Sequence, residues 1–426
     1  MDSLINIIDT YNNSSDSSLR HCRDASVTEP PKRYVGAWIG RQPELFPALD
    51  EQLDPLTAKL ERLIIILDTL GLEAYVAPPS RGRGRPADDR PQIARAFVAK
   101  AVLNIPTTSA LIERLQVDRS LRRICGWERR SDVPSESKFS RAFAEFAEQN
   151  LPERVHEQLV RDGLTGHILG HVARDATEID ARETPKPKAQ TVDTPPQPPD
   201  PSPAPEPPRR RGRPRKGETP PPKPLTRIER QRSQTLDEML AELPVRCDFG
   251  CKRNSRGFTT TWVGYKLHLD VTTGMVPVSA ILTSASVHDS QVAIPLARKS
   301  QKRIVWLYDV MDSAYDADAI VADCHAAGHI PVIDHNTRRH TTLKAEIATE
   351  RLARRTINMP DPDDLIYNER TAAERANGAI KDDYGGRYLR VRGHLKVFCH
   401  LMFGVAAFTA SCLLNLFEPE PHPNPA

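Results

Sequence analysis

"RIVWLYDVMDSAYDADAIVADCHAAGHIPVID", residues 303–334, decides the fold class. Its first nine residues form an apolar run of the length and composition of a buried strand. "AIVADCHAAG", 319–328, predicts a helix closed by Gly328, and "HIPVID", 329–334, a second short strand. Upstream, "HILGHVARDATEI" opens a strand series. "TTWVGYKLHLDV" alternates through Tyr265, Leu267, Leu269 and Val271, and "VPVSAILTSAS" follows Gly274. Three successive strands and then alternating strand and helix describe a mixed-sheet α/β domain.

Before residue 165 the periodicity is helical. "LTAKLERLIIILDTLG" ends at Gly71, "PQIARAFVAKAVLN" begins on Pro91, and "TSALIERLQ" opens on a Thr or Ser cap. In "SESKFSRAFAEFAEQ", Phe139, Phe143 and Phe146 form one apolar stripe with Lys138 and Arg141 off it. Residues 36–165 are therefore expected to be an all-helical domain, and residues 1–35, polar and without periodicity, an unstructured arm. The stretch "VFCHLMFGVAAFTASCLLNLF", 397–417, approaches bilayer-spanning length, yet it contains His400, Thr409, Ser411 and Asn415. A buried or dimer-packing helix is the expectation there, with no membrane partner.

The 426-residue chain has a net charge of only +3, so its basic character is local, concentrated near 81–85 and 209–216. Seven cysteines without a repeating spacing fit reduced thiols in an intracellular protein. Cys247 and Cys251 lack a second pair at zinc-site spacing and are read as ordinary thiols. Residues 184–225 hold 16 of the 38 prolines and form a Pro-rich insert that supports neither ladder nor helix. Within it, Arg211, Gly212, Arg213 and Pro214 resemble an AT-hook, a flexible core narrow enough for the minor groove of A·T-rich DNA. The alternative is a solvated basic linker. A second Arg-Gly-Arg-Pro string occupies 83–86.

Carboxylates stand at strand ends: Asp175 after "HVAR", and Asp309 and Asp312 at the end of "RIVWLY". Such acids converge at one edge of a sheet and offer hard oxygen ligands to divalent cations. In "YNERTAAERANGAIK", 367–381, Tyr367, Arg370, Glu374 and Lys381 lie at offsets that gather them on one helical face. An Arg370–Glu374 ion pair accounts for part of this clustering. Adding Glu374 to Asp175 and Asp312 gives three carboxylates able to hold two Mg²⁺ or Mn²⁺ ions, and Arg370 and Lys381 suit phosphate. His268 and His288 each have an Asp nearby and are read as structural hydrogen-bond formers.

Tyr, two residues, Arg, three residues, Glu, six residues, Lys resembles the last catalytic motif of bacterial insertion-sequence DDE transposases, including the Tn5-type branch. "DSAY", 312–315, looks like the family's second motif and "RDATEI", 174–179, like its first. The resemblance covers roughly residues 90–415, with "VPSESKFSRAF" in the helical part. It implies an RNase H-like catalytic domain over 166–183 and 226–417, preceded by a helical DNA-binding domain. It also implies a metal-binding triad of Asp175, Asp312 and Glu374, with Tyr367, Arg370 and Lys381 on the phosphates of the transposon end. The implied partners are DNA and a second copy of the chain in a dimer assembled on DNA, in the cytoplasm at the nucleoid. Asp180 rivals Asp175, and Asp309 rivals Asp312. Only 62 positions separate Asp312 from Glu374, too few for the large β-rich insertion of Tn5-type enzymes. "GGRYLRVRGHLKV", 385–397, is a further candidate for backbone-phosphate contact.

Overall fold

The computed structural model describes residues 56–76, 89–185, 224–253, 257–335, 341–356 and 362–417. The amino-terminal arm, both Arg-Gly-Arg-Pro strings, nearly all of the Pro-rich insert and the tail from 418 lie outside these residues. The chain divides into two units, Met1–Thr69 and Leu70–Ala426. In the first, helix α1 (Ala58–Leu70) carries Leu60, Leu63 and Leu67 along one stripe.

The second unit opens with helices α2 (Arg90–Val102), α3 (Thr108–Val117), α4 (Arg119–Ile124), α5 (Glu136–Glu148) and α6 (Leu151–Leu164). Pro91 stands in the first turn of α2, where a missing N–H costs nothing. The Thr107 and Asp118 side chains cap α3 and α4 by accepting from the N–H groups of Ala110 and Leu121. The expected phenylalanine stripe of α5 is buried and packs against Phe97 of α2, with Phe97 and Phe143 rings 4.9 Å apart.

Six strands follow: β1 (Ile168–Asp180), β2 (Asp248–Arg253), β3 (Thr259–Thr272), β4 (Val276–Ser284), β5 (Val305–Met311) and β6 (Ile330–Ile333). The order is β2-β3-β1-β5-β6, and β4 also pairs with β3. The β1–β3, β2–β3 and β3–β4 pairs are antiparallel, whereas β1–β5 and β5–β6 are parallel. Long β3 gives its first half to β2 and its second to β4. Gly264, at φ +156°, stands where β3 leaves β2 and meets β1, and a Cβ there would collide with the Ile179 carbonyl. Helices α7 (Arg227–Gln231), α8 (Leu236–Glu242), α9 (Ala293–Gln301), α10 (Asp318–Ala326), α11 (Thr341–Thr356), α12 (Pro362–Tyr367), α13 (Thr371–Asp382) and α14 (His394–Phe417) complete the described elements. This mixed α/β architecture is consistent with an RNase H-like domain, as the sequence led us to expect.

The long apolar helix α14 is a core helix, mostly buried along its apolar length. Val397, Leu401, Met402, Val405 and Phe408 join the strand residues Leu267, Leu269, Val276 and Val278 in one cluster. On another side Phe403 meets Phe97, Phe143 and Phe146 at ring separations of 5.6–6.4 Å. Helices α2–α6 and the sheet thus share α14. Each such side chain withdrawn from water contributes roughly 1.5–3 kcal/mol.

On one face of the sheet lies a buried ionic network. Arg174 donates from Nε and Nη2 to the two oxygens of Asp270 at 2.7 and 3.0 Å, and from Nη2 to Asp309 at 3.2 Å. Ser300 Oγ donates to Asp270 at 2.6 Å, and the His329 ring lies 2.9 Å from Asp309. Arg174, Asp270 and Asp309 are each at most 1% exposed. Removing the cation leaves two buried carboxylates without their counter-ion. We expect Arg174→Met to lower stability by about 3–5 kcal/mol, measured by urea denaturation. Asp180→Ala, at an exposed position, should change it by less than about 0.5 kcal/mol. Equal effects from the two would contradict a structural role for the network.

Candidate active site

The parallel register aligns Ala173 with Val310 and Arg174 with Met311. Asp175 is the next residue on β1 and Asp312 the first residue past β5, so they stand side by side at the carboxyl end of β5. Because side chains alternate across a strand, Asp175 points away from Arg174 and toward α13. Helix α13 lies against that face through buried Ala373, Ala376 and Ile380. Asn377, one turn after Glu374, donates from Nδ2 to Asp175 Oδ2 at 3.1 Å. Further along, Lys381 Nζ donates to Glu178 Oε1 at 2.7 Å and lies 3.4 Å from Thr177 Oγ1.

Asp312 is fixed by its turn. Its Oδ1 accepts from the Ala314 N–H at 2.9 Å, capping a short helical turn, Ser313–Tyr315. Tyr315 is buried among Ala293, Met311, Ile320 and Cys324, and so pins the turn to the core. The aromatic residue of "DSAY" therefore acts as an anchor.

Burial pushes the Asp175 carboxyl up to about 6, and neighbouring Asp312 adds to the shift; the Ala176 N–H, Lys252 and Arg370 pull the other way. Asp312 is also raised, by burial and by Asp289, against the Ala314 N–H, Arg370 and Lys252. The edge therefore holds two carboxylates whose charged forms are penalised.

Glu374 projects from the first turn of α13 and is half exposed, in an ion pair with Arg370 at 2.8 Å. The Arg370 guanidinium lies 5.5 Å from the Tyr367 ring centre. Although burial works against its charge, Tyr367, Glu374 and Asp175 raise the Arg370 pKa. The structure thus brings Tyr367, Arg370 and Glu374 together, while Lys381 is engaged by β1. Helix and motif are also less regular than expected, since Asn368–Arg370 form a tighter turn between α12 and α13.

The rival acids have other surroundings. Asp309 is enclosed in the Arg174 network on the opposite face, and Asp180 is exposed where β1 meets Gly264. His268 Nε2 lies 2.9 Å from Thr283 Oγ1, and His288 Nδ1 lies 2.8 Å from Ser290 Oγ, so both make the expected hydrogen bonds. Three participants escaped the sequence reading. Asn377 carried a signal, its three-residue offset from Glu374 on one helix. Asp289 and Lys252 reach Asp312 only through the folding of the sheet and carried none.

Among the described residues no three His, Cys, Asp or Glu side chains converge closely enough to hold a metal ion. The available donors nevertheless fit a divalent cation: Asp175 and Asp312 offer only oxygens, and their penalised charges call for one. Glu374 would have to release Arg370 to join them.

Two family models match the chain. The Transposase DDE domain matches residues 247–410, and the Transposase domain (DUF772) matches residues 47–145. No curated protein and no solved structure matches it. The first match holds Asp312, Tyr367, Arg370, Glu374 and Lys381; Asp175 falls between the two matches. Together they support an insertion-sequence DDE transposase, a class of enzyme that acts on DNA and depends on divalent metal.

A raised carboxyl pKa destabilises the folded state once the group ionises. The loss grows between the unfolded value of about 3.9 and the folded value of about 6, and is complete above it. Asp175→Asn should therefore be more stable than the unaltered protein at pH 8 in chelator, by roughly 1–3 kcal/mol, with the gain vanishing near pH 4. A pH-independent difference in denaturation midpoint would contradict the electrostatic picture.

Proposed function

We propose that this protein binds the terminal inverted repeats of an insertion sequence and catalyses DNA cleavage followed by strand transfer. The observation that carries the reading is the pairing of Asp175 with Asp312 at the carboxyl edge, facing the helix that bears Glu374. In the proposed reaction a water oxygen bonds to the phosphorus at the transposon end and the P–O3′ bond breaks. A 5′-phosphate and a free 3′-hydroxyl result. That hydroxyl then attacks a target phosphodiester, forming one P–O bond as another breaks.

Asp175, Asp312 and Glu374 would hold two Mg²⁺ or Mn²⁺ ions, which supply activation of the attacking oxygen and neutralisation of the leaving one. The rest falls to the chain itself. Asn377 orients the Asp175 carboxylate through its amide. Arg370 moves from Glu374 to a backbone phosphate, for which its forked donors are suited, and Tyr367 supports its plane. Lys381 supplies a point charge beside the same strand. The helices of 36–165 serve as the DNA-binding domain, and Arg211, Gly212, Arg213 and Pro214 as an accessory minor-groove arm. Two ends require two active sites, so the working form is a dimer on DNA in the nucleoid. Between Asp312 and Glu374 the described residues comprise helices and the short strand β6. This suits a relative of the Tn5-like branch without its large β insertion.

A non-catalytic DNA-binding protein is the rival from another class, and a metal-dependent nuclease that cuts without joining is the rival among enzymes. An assay on end-sequence DNA with Mg²⁺ separates them. Asp175→Asn, Asp312→Asn and Glu374→Gln should each bind the ends while losing at least about a hundredfold in cleavage, and Asp180→Asn should cleave normally. Undiminished cleavage in any of the first three would sink the triad. Cleavage without joined product would favour the nuclease.

A further inference from the structure

A cavity of about 480 Å³ lies away from the paired carboxylates, between α2, α5 and the segment leading into α14. Its walls gather cations from three parts of the chain: Lys100 at the end of α2, Arg182 just after β1, and Arg390, Arg392 and Lys396 before and within α14. Glu136, exposed on the rim, is the one acid among the lining residues.

Lys100 is 7% exposed, and among the described residues no carboxylate pairs with it. Burial lowers its pKa to about 8. Its neighbour His400 is half-buried, and its Nε2 lies 3.0 Å from the Gly385 carbonyl. That bond ties the start of the basic segment to α14. Arg182 reaches the Arg390 carbonyl at 3.5 Å, and Leu389 is buried between these ties. The basic rim is therefore built into the fold. An unpaired buried ammonium that opens on a cavity lined by further cations is unfavourable unless an anion completes it.

We propose that this cavity is an anion site that seats a backbone phosphate of DNA, separate from the reaction centre. The DNA assignment rests on the transposase reading; the anion site does not. Asn104, just past α2, donates to the Asp382 carbonyl at the end of α13, at 2.5 Å. Cavity and catalytic helix are thereby joined, and DNA lying along α13 would continue toward Lys100. Phosphate oxygens would receive charge-assisted hydrogen bonds from the lysine and the arginines.

The test compares the full chain with Lys100→Met and with the exposed double variant Arg392→Ala/Lys396→Ala, in two measurements. In thermal denaturation, inorganic phosphate should raise the melting midpoint of the unaltered protein and leave that of Lys100→Met unmoved. In duplex binding followed by anisotropy across a salt series, both variants should bind about tenfold more weakly. The double variant's log–log salt slope should be shallower by about 2. Equal phosphate stabilisation of the unaltered protein and Lys100→Met would overturn the anion site. A phosphate response lost in Lys100→Met, with duplex affinity and slope unchanged, would overturn the DNA assignment alone. If the unaltered protein binds no duplex, the transposase reading fails while the phosphate measurement still decides the cavity.

Discussion

The register between β1 and β5 is the constraint on which the site depends. A strand exposes successive residues to opposite faces, so a slip of one residue would exchange Arg174 and Asp175. Arg174 prevents the slip. Its guanidinium is held by Asp270 on β3 and Asp309 on β5, and a slip would break both ion pairs. The same bonds that bury a cation on one side of the sheet therefore deliver Asp175 and Asp312 together on the other. The stabilising ion pair and the proposed site thus fall to adjacent residues of one strand.

That division also explains what was legible in the sequence. Strand alternation in "TTWVGYKLHLDV" and the strand–helix–strand pattern of 303–334 report burial, and burial decided the mixed sheet. The local "SAY" context favours Asp312 over Asp309 in the sequence; in the structure Tyr315 buries and locks the turn after Asp312, while Asp309 is bound by Arg174 and His329. Lys381 was less legible. Helical offsets place it on the face of Glu374, yet Glu178 across on β1 determines its partner. Lys252 and Asp289 act on the carboxylates from elements remote in sequence, and no local pattern reveals such an encounter.

The carboxyl-terminal helix shows the same limit from another direction. Its composition admitted a membrane span, and its length alone could not decide. Packing decides, because one flank of α14 lies on the sheet and Phe403 fills the aromatic cluster of α2 and α5. Helices read separately as a DNA-binding region and strands read as a catalytic one are thus joined by a shared core helix.

In the proposed site Asp175, Asp312 and Glu374 share divalent cations. Fe²⁺ substituted for Mg²⁺, with ascorbate and peroxide, generates hydroxyl radicals that cut the backbone close to the bound ion. The expected fragments end near residues 175, 312 and 374, and excess Mg²⁺ suppresses all three cuts together. Cuts confined to other segments, or cuts at these positions that Mg²⁺ leaves unchanged, would contradict the shared site.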